Sequence, residues 1–310
     1  GEGKLRLPPG AGPLDAQLRL AVPTLAPLSD AAGTPLRGRL TLDAEARGAV
    51  ADPQASVVLR LQDAAVDTTR IASARAELRA ITLLSRPTGR LTLDGTTDLG
   101  PLSAVTDFIL EDNRRLRLTP ITARGLGIAV DGTVQADLAG PLANGQLHIA
   151  SEAPDHGIRF GETALRGPLG IDVRLLPQRA QQRVVVAVRG GPLSLRQGAA
   201  EQLAIDGLTG DATLDDAFAD PHFSARMRAQ RINGPLAIGE MRLTADGTPA
   251  RIRVTAAGEG EGEHPGHLEV STDVSRIADA LRLDIDRLSG RLAGEPLRLS
   301  QPARIISSPG

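Results

Sequence analysis

The sequence predicts an all-β fold: an elongated antiparallel meander, curled into a taco-like or gutter-like sheet with an apolar inner face. Three observations support it. Apolar and polar residues alternate along most of the 310 residues, Gly-Pro-Leu interrupts the alternation six times, and aromatic residues make up only 1%. A period of two places apolar side chains on one face of a strand and polar side chains on the other. Sheets solvated on one face are typically antiparallel.

The same period of two predicts individual strands. The clearest alternating segments are residues 17–20, 38–42, 90–93, 146–149, 241–244, 251–255 and 281–286. Residues 183–188 are nearly continuous in apolar character, which predicts a strand buried on both faces. Residues 102–110 and 274–281 have spacing compatible with short helices. Residues 69–80 fit either period, and we favour a strand there.

Two short motifs predict where strands end and turn. The Gly-Pro-Leu triplets begin at Gly12, Gly100, Gly140, Gly167, Gly191 and Gly234. Proline removes a ladder donor and therefore ends a strand. The dipeptides Asp94-Gly95, Asp131-Gly132, Asn144-Gly145, Asp206-Gly207 and Asp246-Gly247 favour type I′ turns, so we expect hairpins there. Residues 258–266 contain no apolar side chain and predict an exposed, flexible hairpin loop.

The repeat continues across any possible midpoint, which predicts one elongated β-repeat segment over residues 1–310. Because the chain begins with Gly1 directly before a strand-like pattern, we expect it to be a segment of a longer protein. Roughly 20 strands spaced about 4.8 Å apart would form a stack of about 95 Å. Open sheets rarely exceed about ten strands unless they curl, so a curled sheet is expected.

Composition excludes several functional classes. Cysteine is absent, which excludes disulfides and thiolate chemistry. The net charge is −2, and the charged residues are interspersed without stacking aromatics, which argues against a nucleic-acid partner. The longest apolar run, residues 184–188, is far short of the roughly 18 residues that a transmembrane helix needs.

No residue pattern predicts catalysis, a cofactor or a metal. His264 and His267 have a spacing that could hold a transition metal with Glu261 or Glu263, but a solvated loop is the favoured interpretation. His148 alternates onto a polar face and is expected to be exposed. The pairs Asp215/Asp216 and Asp284/Asp286 lack a partner base or a phosphate-binding loop. We therefore expect no enzyme activity.

Residues 288–305 and 132–142 resemble repeat segments of the TamB family, in the wider AsmA-like group. The resemblance implies a periplasmic, taco-shaped β-sheet in a parent protein anchored to the inner membrane by an N-terminal helix. Its apolar inner surface would conduct phospholipid acyl chains between the inner and outer membranes and so support outer-membrane biogenesis. A BamA/TamA-type outer-membrane barrel would be a partner, through parts outside this segment.

The resemblance and the alternation together predict which residues line a lipid groove. The candidates are the apolar partners of the alternating runs: Leu91, Leu93, Leu147, Ile149, Leu243, Ile252, Val254, Leu281, Leu283 and Ile285. A second interpretation is a chaperone-like scaffold for outer-membrane β-barrels and autotransporters, working through sheet edges or the groove. A third is a secreted β-solenoid adhesin, which the 23% of charged residues disfavours.

Overall fold

The computed structural model describes residues 2–6, 13–29, 36–66, 69–98, 100–151, 157–160, 163–179, 181–197, 200–234, 237–261, 266–277, 280–292 and 294–307. Apart from one 3₁₀ turn at Ala26–Leu28, every regular element in these ranges is a β-strand. The chain divides into two units, Gly1–Pro141 (unit one) and Leu142–Gly310 (unit two). That residues 1–310 act as one elongated segment stays a prediction.

Unit one is a simple antiparallel meander. Its strands are β1 (Glu2–Arg6), β2 (Pro13–Val22), β3 (Leu36–Ala49), β4 (Asp52–Val66), β5 (Thr69–Ile81), β6 (Thr88–Thr97), β7 (Gly100–Glu111), β8 (Arg115–Gly125) and β9 (Ile128–Asp137). From β1 to β9, each strand pairs with the next one along the chain. The predicted antiparallel meander is confirmed here.

Unit two is also antiparallel, but several pairs of consecutive strands, such as β12 and β13, are separated by only one or two residues and run in two different ladders. Its strands are β10 (Ala143–Ser151), β11 (Ile158–Phe160), β12 (Thr163–Arg166), β13 (Leu169–Gln178), β14 (Gln181–Gly190), β15 (Leu193–Gln197), β16 (Ala200–Asp206), β17 (Leu208–Asp215), β18 (His222–Ala229), β19 (Arg231–Asn233), β20 (Ile238–Thr248), β21 (Arg251–Gly260), β22 (Gly266–Ile277), β23 (Ala280–Leu292), β24 (Glu295–Arg298) and β25 (Ala303–Ser307). One ladder runs β10-β13-β14-β17-β18-β20-β21-β22-β23, with β24 and β25 both beside β23. A second ladder runs β11-β12-β15-β16-β19-β20.

Four of the breaks between strands in unit two lie side by side, along a line that we call the crease. It consists of Gly167-Pro168, Gly191-Pro192, Asp206-Gly207 and Gln230. Backbone hydrogen bonds bridge it: the Gly191 N–H donates to the carbonyl of Pro168 at 3.1 Å, and the Gln230 N–H to that of Asp206 at 2.9 Å. Gly167 and Gly191 have φ values of +115° and +125°, which side chains disfavour. The prediction that Gly-Pro-Leu ends strands is confirmed at these two triplets and at Gly140, between β9 and β10, but it is wrong at Gly100, because Pro101 lies inside β7 and is opposite Thr96.

The predicted Asp-Gly and Asn-Gly hairpin turns are wrong. Asp94-Gly95, Asp131-Gly132, Asn144-Gly145 and Asp246-Gly247 lie inside β6, β9, β10 and β20, and Asp206-Gly207 lies at the crease. The reason is packing. Gly95 is opposite Leu102, Gly132 opposite Ile121, and Gly145 opposite Leu175. Each glycine therefore leaves room for a large apolar neighbour instead of making a turn.

The other segment predictions have mixed outcomes. All seven alternating segments lie inside strands, and residues 69–80 lie in β5, as predicted. The helical alternatives for 102–110 and 274–281 are wrong, because the described residues there belong to β7, β22 and β23. Residues 184–188 are only half-buried, so burial on both faces is wrong too. Gly12, Pro235, Leu236 and residues 262–265 lie outside the described residues.

Candidate functional site

The sheet of unit one has a continuous apolar face. Directly opposite residues of paired strands lie on the same face, so the register traces it from strand to strand. One such row is Leu18, Ala44, Val57, Leu78 and Leu91. The predicted groove residues Leu91 and Leu93 lie two positions apart on β6 and therefore both belong to this face.

Unit two has an equivalent apolar face. A row across nine strands of its main ladder is Leu147, Val173, Val186, Ala212, Ala225, Ala245, Val254, Thr272 and Ile285. The remaining candidates Ile149, Leu243, Ile252, Leu281 and Leu283 occupy the same face by register. The structure thus places all eight unit-two candidates on one face, while their lipid contact stays a prediction.

Neither apolar face is covered in the part of the chain that the structure describes. Leu18, Leu91 and Leu281 are 50%, 42% and 52% exposed, and no large side chain is fully buried there. The whole chain exposes 19540 Å². A compact monomer of this mass would expose about 12,000 Å², and two compact bodies of half the mass about 15,000 Å² in total. A two-layer fold would bury such a face. Leu91 and Leu281 are therefore accessible to a ligand, and the other eight groove candidates are half-buried.

The opposite face of unit one carries cross-strand ion pairs. Asp43 accepts hydrogen bonds from Arg19 (2.7 Å) and Arg60 (2.5 Å), and these two guanidinium groups lower the pKa of its carboxyl. Arg90 donates two parallel hydrogen bonds of 2.6 and 2.9 Å to the carboxylate of Asp107 and lowers the pKa of that group. Water screens exposed pairs of this kind, so each contributes little to stability. They make this face hydrophilic, in contrast to the apolar one.

The polar face of unit two follows the same pattern. Asp273 is buried, at 5% exposure, and accepts hydrogen bonds from Arg253 and Arg251, which lower the pKa of its carboxyl to about 2. His148 is exposed, as predicted, and its Nδ1 lies 2.8 Å from Oδ1 of Asp172. That contact, with Arg189 nearby, lowers the pKa of Asp172.

A second feature of unit two is a small apolar pocket, which we call the glycine pocket. Its volume is about 230 Å³, and Ile238, Met241, Leu268 and Leu297 line it. Gly258, Gly260 and Gly266 also line it, and by register these three positions belong to the apolar face. Residues with small or absent side chains therefore leave a depression in the apolar face.

Sequence reasoning missed this pocket because residues 258–266 resemble a loop. Glycines at alternate positions next to an apolar strand were the available signal: Gly258 and Gly260 belong to β21, and Gly266 begins β22. The predicted hairpin does connect these two strands, but they extend further into it than expected. Of the histidine pair considered for a metal, His267 lies in β22, and His264 lies outside the described residues.

Two negative findings concern the described ranges alone. They contain no cluster of three or more residues that could hold a metal ion. They also contain no helix with the length and apolar character needed to cross a membrane. In comparisons with known proteins, no family model, curated protein or solved structure matches this chain.

Proposed function

We propose that this chain is a periplasmic segment of a bridge-like conduit, which carries phospholipids between the inner and outer membranes along an apolar β surface. The observation that carries the proposal is the uncovered apolar face of each unit, exemplified by Leu91 and Leu281 at 42% and 52% exposure. Such a surface is unusual for a protein that works surrounded by water, where exposed apolar patches mark binding sites.

The geometry explains how acyl chains would be held. Aliphatic side chains such as Ile252, Val254 and Leu283 form a surface without directional hydrogen-bonding groups, so an acyl chain can move along it. Each methylene removed from water contributes about 0.8 kcal/mol. Headgroups would remain in water. The ion-paired opposite face gives acyl chains no comparable surface, so binding is expected on one face only.

The test is photo-crosslinking of lipid at matched positions on β21. A photoreactive residue at Ile252, on the apolar face, should capture phospholipid that mass spectrometry identifies. One at Thr255, opposite Thr244 and Ser271 on the polar face, should not. Thr255 is a better control than Arg253, which holds Asp273. Equal labelling at both positions would contradict the proposal.

The rival proposal is a chaperone-like scaffold for outer-membrane β-barrels and autotransporters. A scaffold of this kind would pair its sheet edges with incoming strands or hold those strands in the groove, without binding phospholipid. Absence of phospholipid from the purified chain, together with retained binding of an unfolded barrel strand, would favour the scaffold.

A further inference from the structure

The side chains that face the glycine pocket are apolar. By register, most of the residues that line it belong to the apolar face, and these are all glycine, alanine, methionine or branched aliphatic residues. His267 and Arg291 also line it, but their side chains emerge on the polar face with Ser271 and Arg287. These two residues therefore contribute backbone to the wall, and a ligand in the pocket meets no charged side chain among the described residues.

The pocket extends across five strands. Ile238 and Met241 on β20 line one end and Leu297 on β24 lines the other, with β21, β22 and β23 between them. Adjacent strands lie about 4.8 Å apart, so β20 and β24 would be roughly 19 Å apart in a flat sheet. A cavity of about 230 Å³ that reaches both ends is therefore either a narrow trough or a space enclosed by a curled sheet. An extended alkyl chain fits both shapes.

Glycines keep this space open. The pocket glycines lie at alternate positions of β21 and at the start of β22, so the floor carries no side chains there. A Cβ at Gly258 would lie 3.0 Å from Cγ2 of Ile238, which is tighter than ordinary contact. On β23, a Cβ at Gly290 would clash with the carbonyl oxygen of His267, so β22 and β23 approach each other closely at this point. Larger residues at these positions would fill the pocket or push the strands apart.

Two cavities on the polar face of unit two have different chemistry. Three arginines and three aspartates line one of about 550 Å³, where Arg304 pairs with Asp284 at 2.8 Å. Four arginines and one aspartate line another of about 380 Å³. Charged walls of this kind hold water well. A buried water needs about 2–4 polar partners, so an apolar cavity binds an apolar molecule instead. The glycine pocket is of this second kind.

The size of the pocket restricts its ligand further. A water molecule occupies about 30 Å³ in the liquid, and a methylene group is of similar size, so about 230 Å³ corresponds to roughly eight methylene groups. This volume is below the range of about 300–1,000 Å³ that is typical of sites for drug-sized molecules. The pocket therefore has room for one alkyl segment and not for two chains side by side.

We propose that the glycine pocket binds one unbranched alkyl chain over about eight carbons and does not select its headgroup. The chain lies along the glycine floor between Ile238 and Met241 at one end and Leu297 at the other, and the headgroup stays in water. Met241 has a flexible thioether side chain that adapts to the bound chain. This inference rests on the proposed lipid conduit and deepens it: the pocket holds one acyl chain of a phospholipid at a time.

The test compares alkyl probes by isothermal titration calorimetry, each below its critical micelle concentration. Hexyl glucoside lacks two methylenes and should bind about ten-fold more weakly than octyl glucoside. The isomer 2-ethylhexyl glucoside has the same number of carbons but only six in line, so it should bind as weakly as hexyl glucoside. Octyl phosphate should bind as tightly as octyl glucoside, because the basic side chains are on the opposite face.

A variant tests the pocket itself. Gly258→Leu places a side chain against Ile238 and should weaken octyl glucoside binding at least about ten-fold without changing the circular dichroism spectrum. The matched control is Ala212→Leu, which introduces the same side chain on the apolar face outside the pocket and should leave binding unchanged. If Gly258→Leu unfolds the chain, Leu297→Gln makes the same test, because Leu297 lines the pocket and is 39% exposed.

Several outcomes would overturn the inference. Equal binding of octyl and 2-ethylhexyl glucoside, or equal losses from Gly258→Leu and Ala212→Leu, would indicate general adsorption to the apolar face. Tighter binding of octyl phosphate than of octyl glucoside would indicate headgroup selection. Phospholipid captured at Ile252 together with equal binding of the two isomers would leave the conduit standing without this site. Octyl glucoside binding that Gly258→Leu abolishes, with no phospholipid captured at Ile252, would contradict the conduit instead.

Discussion

Arg253 holds the buried carboxylate of Asp273 through two parallel hydrogen bonds, Nε to Oδ1 and Nη2 to Oδ2, each 3.0 Å long. Arg251 on the same strand is a second partner. Asp273 is the most deeply buried charged side chain among the described residues, and its two partners are mostly exposed. An asparagine replacement would keep one acceptor oxygen but remove the second oxygen and the negative charge that both guanidinium groups share.

We therefore expect Asp273→Asn to lower the free energy of unfolding at neutral pH by about 1–2 kcal/mol, since water around the exposed guanidinium groups screens part of their attraction to Asp273. The pKa of Asp273 in the folded chain is about 2, below the ordinary value of 3.8. The stabilisation is thus complete above the unfolded pKa and is lost as pH falls from about 5 to 2. Urea unfolding across that range should show the gap between native chain and variant shrinking.

Asp94→Asn is the control for that experiment. Asp94 is exposed on the polar face of β6 and forms no ion pair among the described residues. Its replacement should change the urea midpoint little at any pH. A gap for Asp273→Asn that persists at about pH 2 would mean that the carboxylate charge is not the source of the stabilisation.

A charge in the apolar face should obstruct lipid movement. Leu283 lies between Val274 and Ile305 on the apolar face of unit two. Leu283→Arg should impose a local barrier of roughly 2–4 kcal/mol, by analogy with charges on the lipid face of membrane barrels. We expect slower transfer of fluorescent phospholipid between vesicles, with β content by circular dichroism unchanged.

The matched control for Leu283→Arg is Arg287→Leu. Arg282 is adjacent but pairs with Asp284 at 2.6 Å, so its loss would disturb the ion pairs. Arg287 is exposed, opposite Ser271, and has no ion pair among the described residues. Normal transfer by folded Leu283→Arg, or an equal loss from Arg287→Leu, would exclude transport along this face.

Three glycines of the same Gly-Pro-Leu motif should differ in their tolerance of alanine. At Gly140 φ is ordinary and a Cβ meets nothing within 4 Å, so Gly140→Ala should be nearly neutral. At Gly100 φ is +124° without a close neighbour, which predicts a loss of about 1 kcal/mol. At Gly167 φ is +115° and a Cβ would lie 2.1 Å from the carbonyl oxygen of Pro192. Gly167→Ala should therefore cost more than about 2 kcal/mol by urea unfolding. Equal effects at all three would mean that the crease is not sterically required.

Truncating leucines should distinguish buried from uncovered positions in unit two. Leu193, beside the crease, is 2% exposed, and Leu281, on the apolar face, is 52% exposed. We expect Leu193→Ala to cost about 2–5 kcal/mol and Leu281→Ala less than about 1 kcal/mol. Thermal or urea unfolding measures both. An equal cost at Leu281 would indicate that another molecule covers the apolar face in solution.

The period of two was enough to predict most strands and the face of each candidate residue. Leu147 and Ile149, for example, lie on the same face because they are two positions apart in a strand, whatever their neighbours are. That inference is local, so it needs no knowledge of pairing. The strand at residues 69–80 followed for the same reason.

Features that depend on register could not be predicted. Gly95 resembles a turn residue until Leu102 is found opposite it. The crease requires that Gly167 and Gly191 lie beside the same ends of the paired strands β13 and β14, although they are far apart in sequence. The glycine pocket likewise joins Ile238 to Leu297 across several strands. Each of these depends on strand alignment, which one sequence without pairing information does not determine.

The strand pairing of unit one bears on how such a sheet can lengthen during evolution. Each strand from β1 to β9 pairs with the strand before or after it, so native contacts are close in sequence. Low contact order favours fast, stepwise folding, and stability becomes a sum of neighbour terms, as in solenoid proteins. A duplicated hairpin could then lengthen the sheet without repacking the rest. Evolution can therefore adjust the reach of this architecture one hairpin at a time.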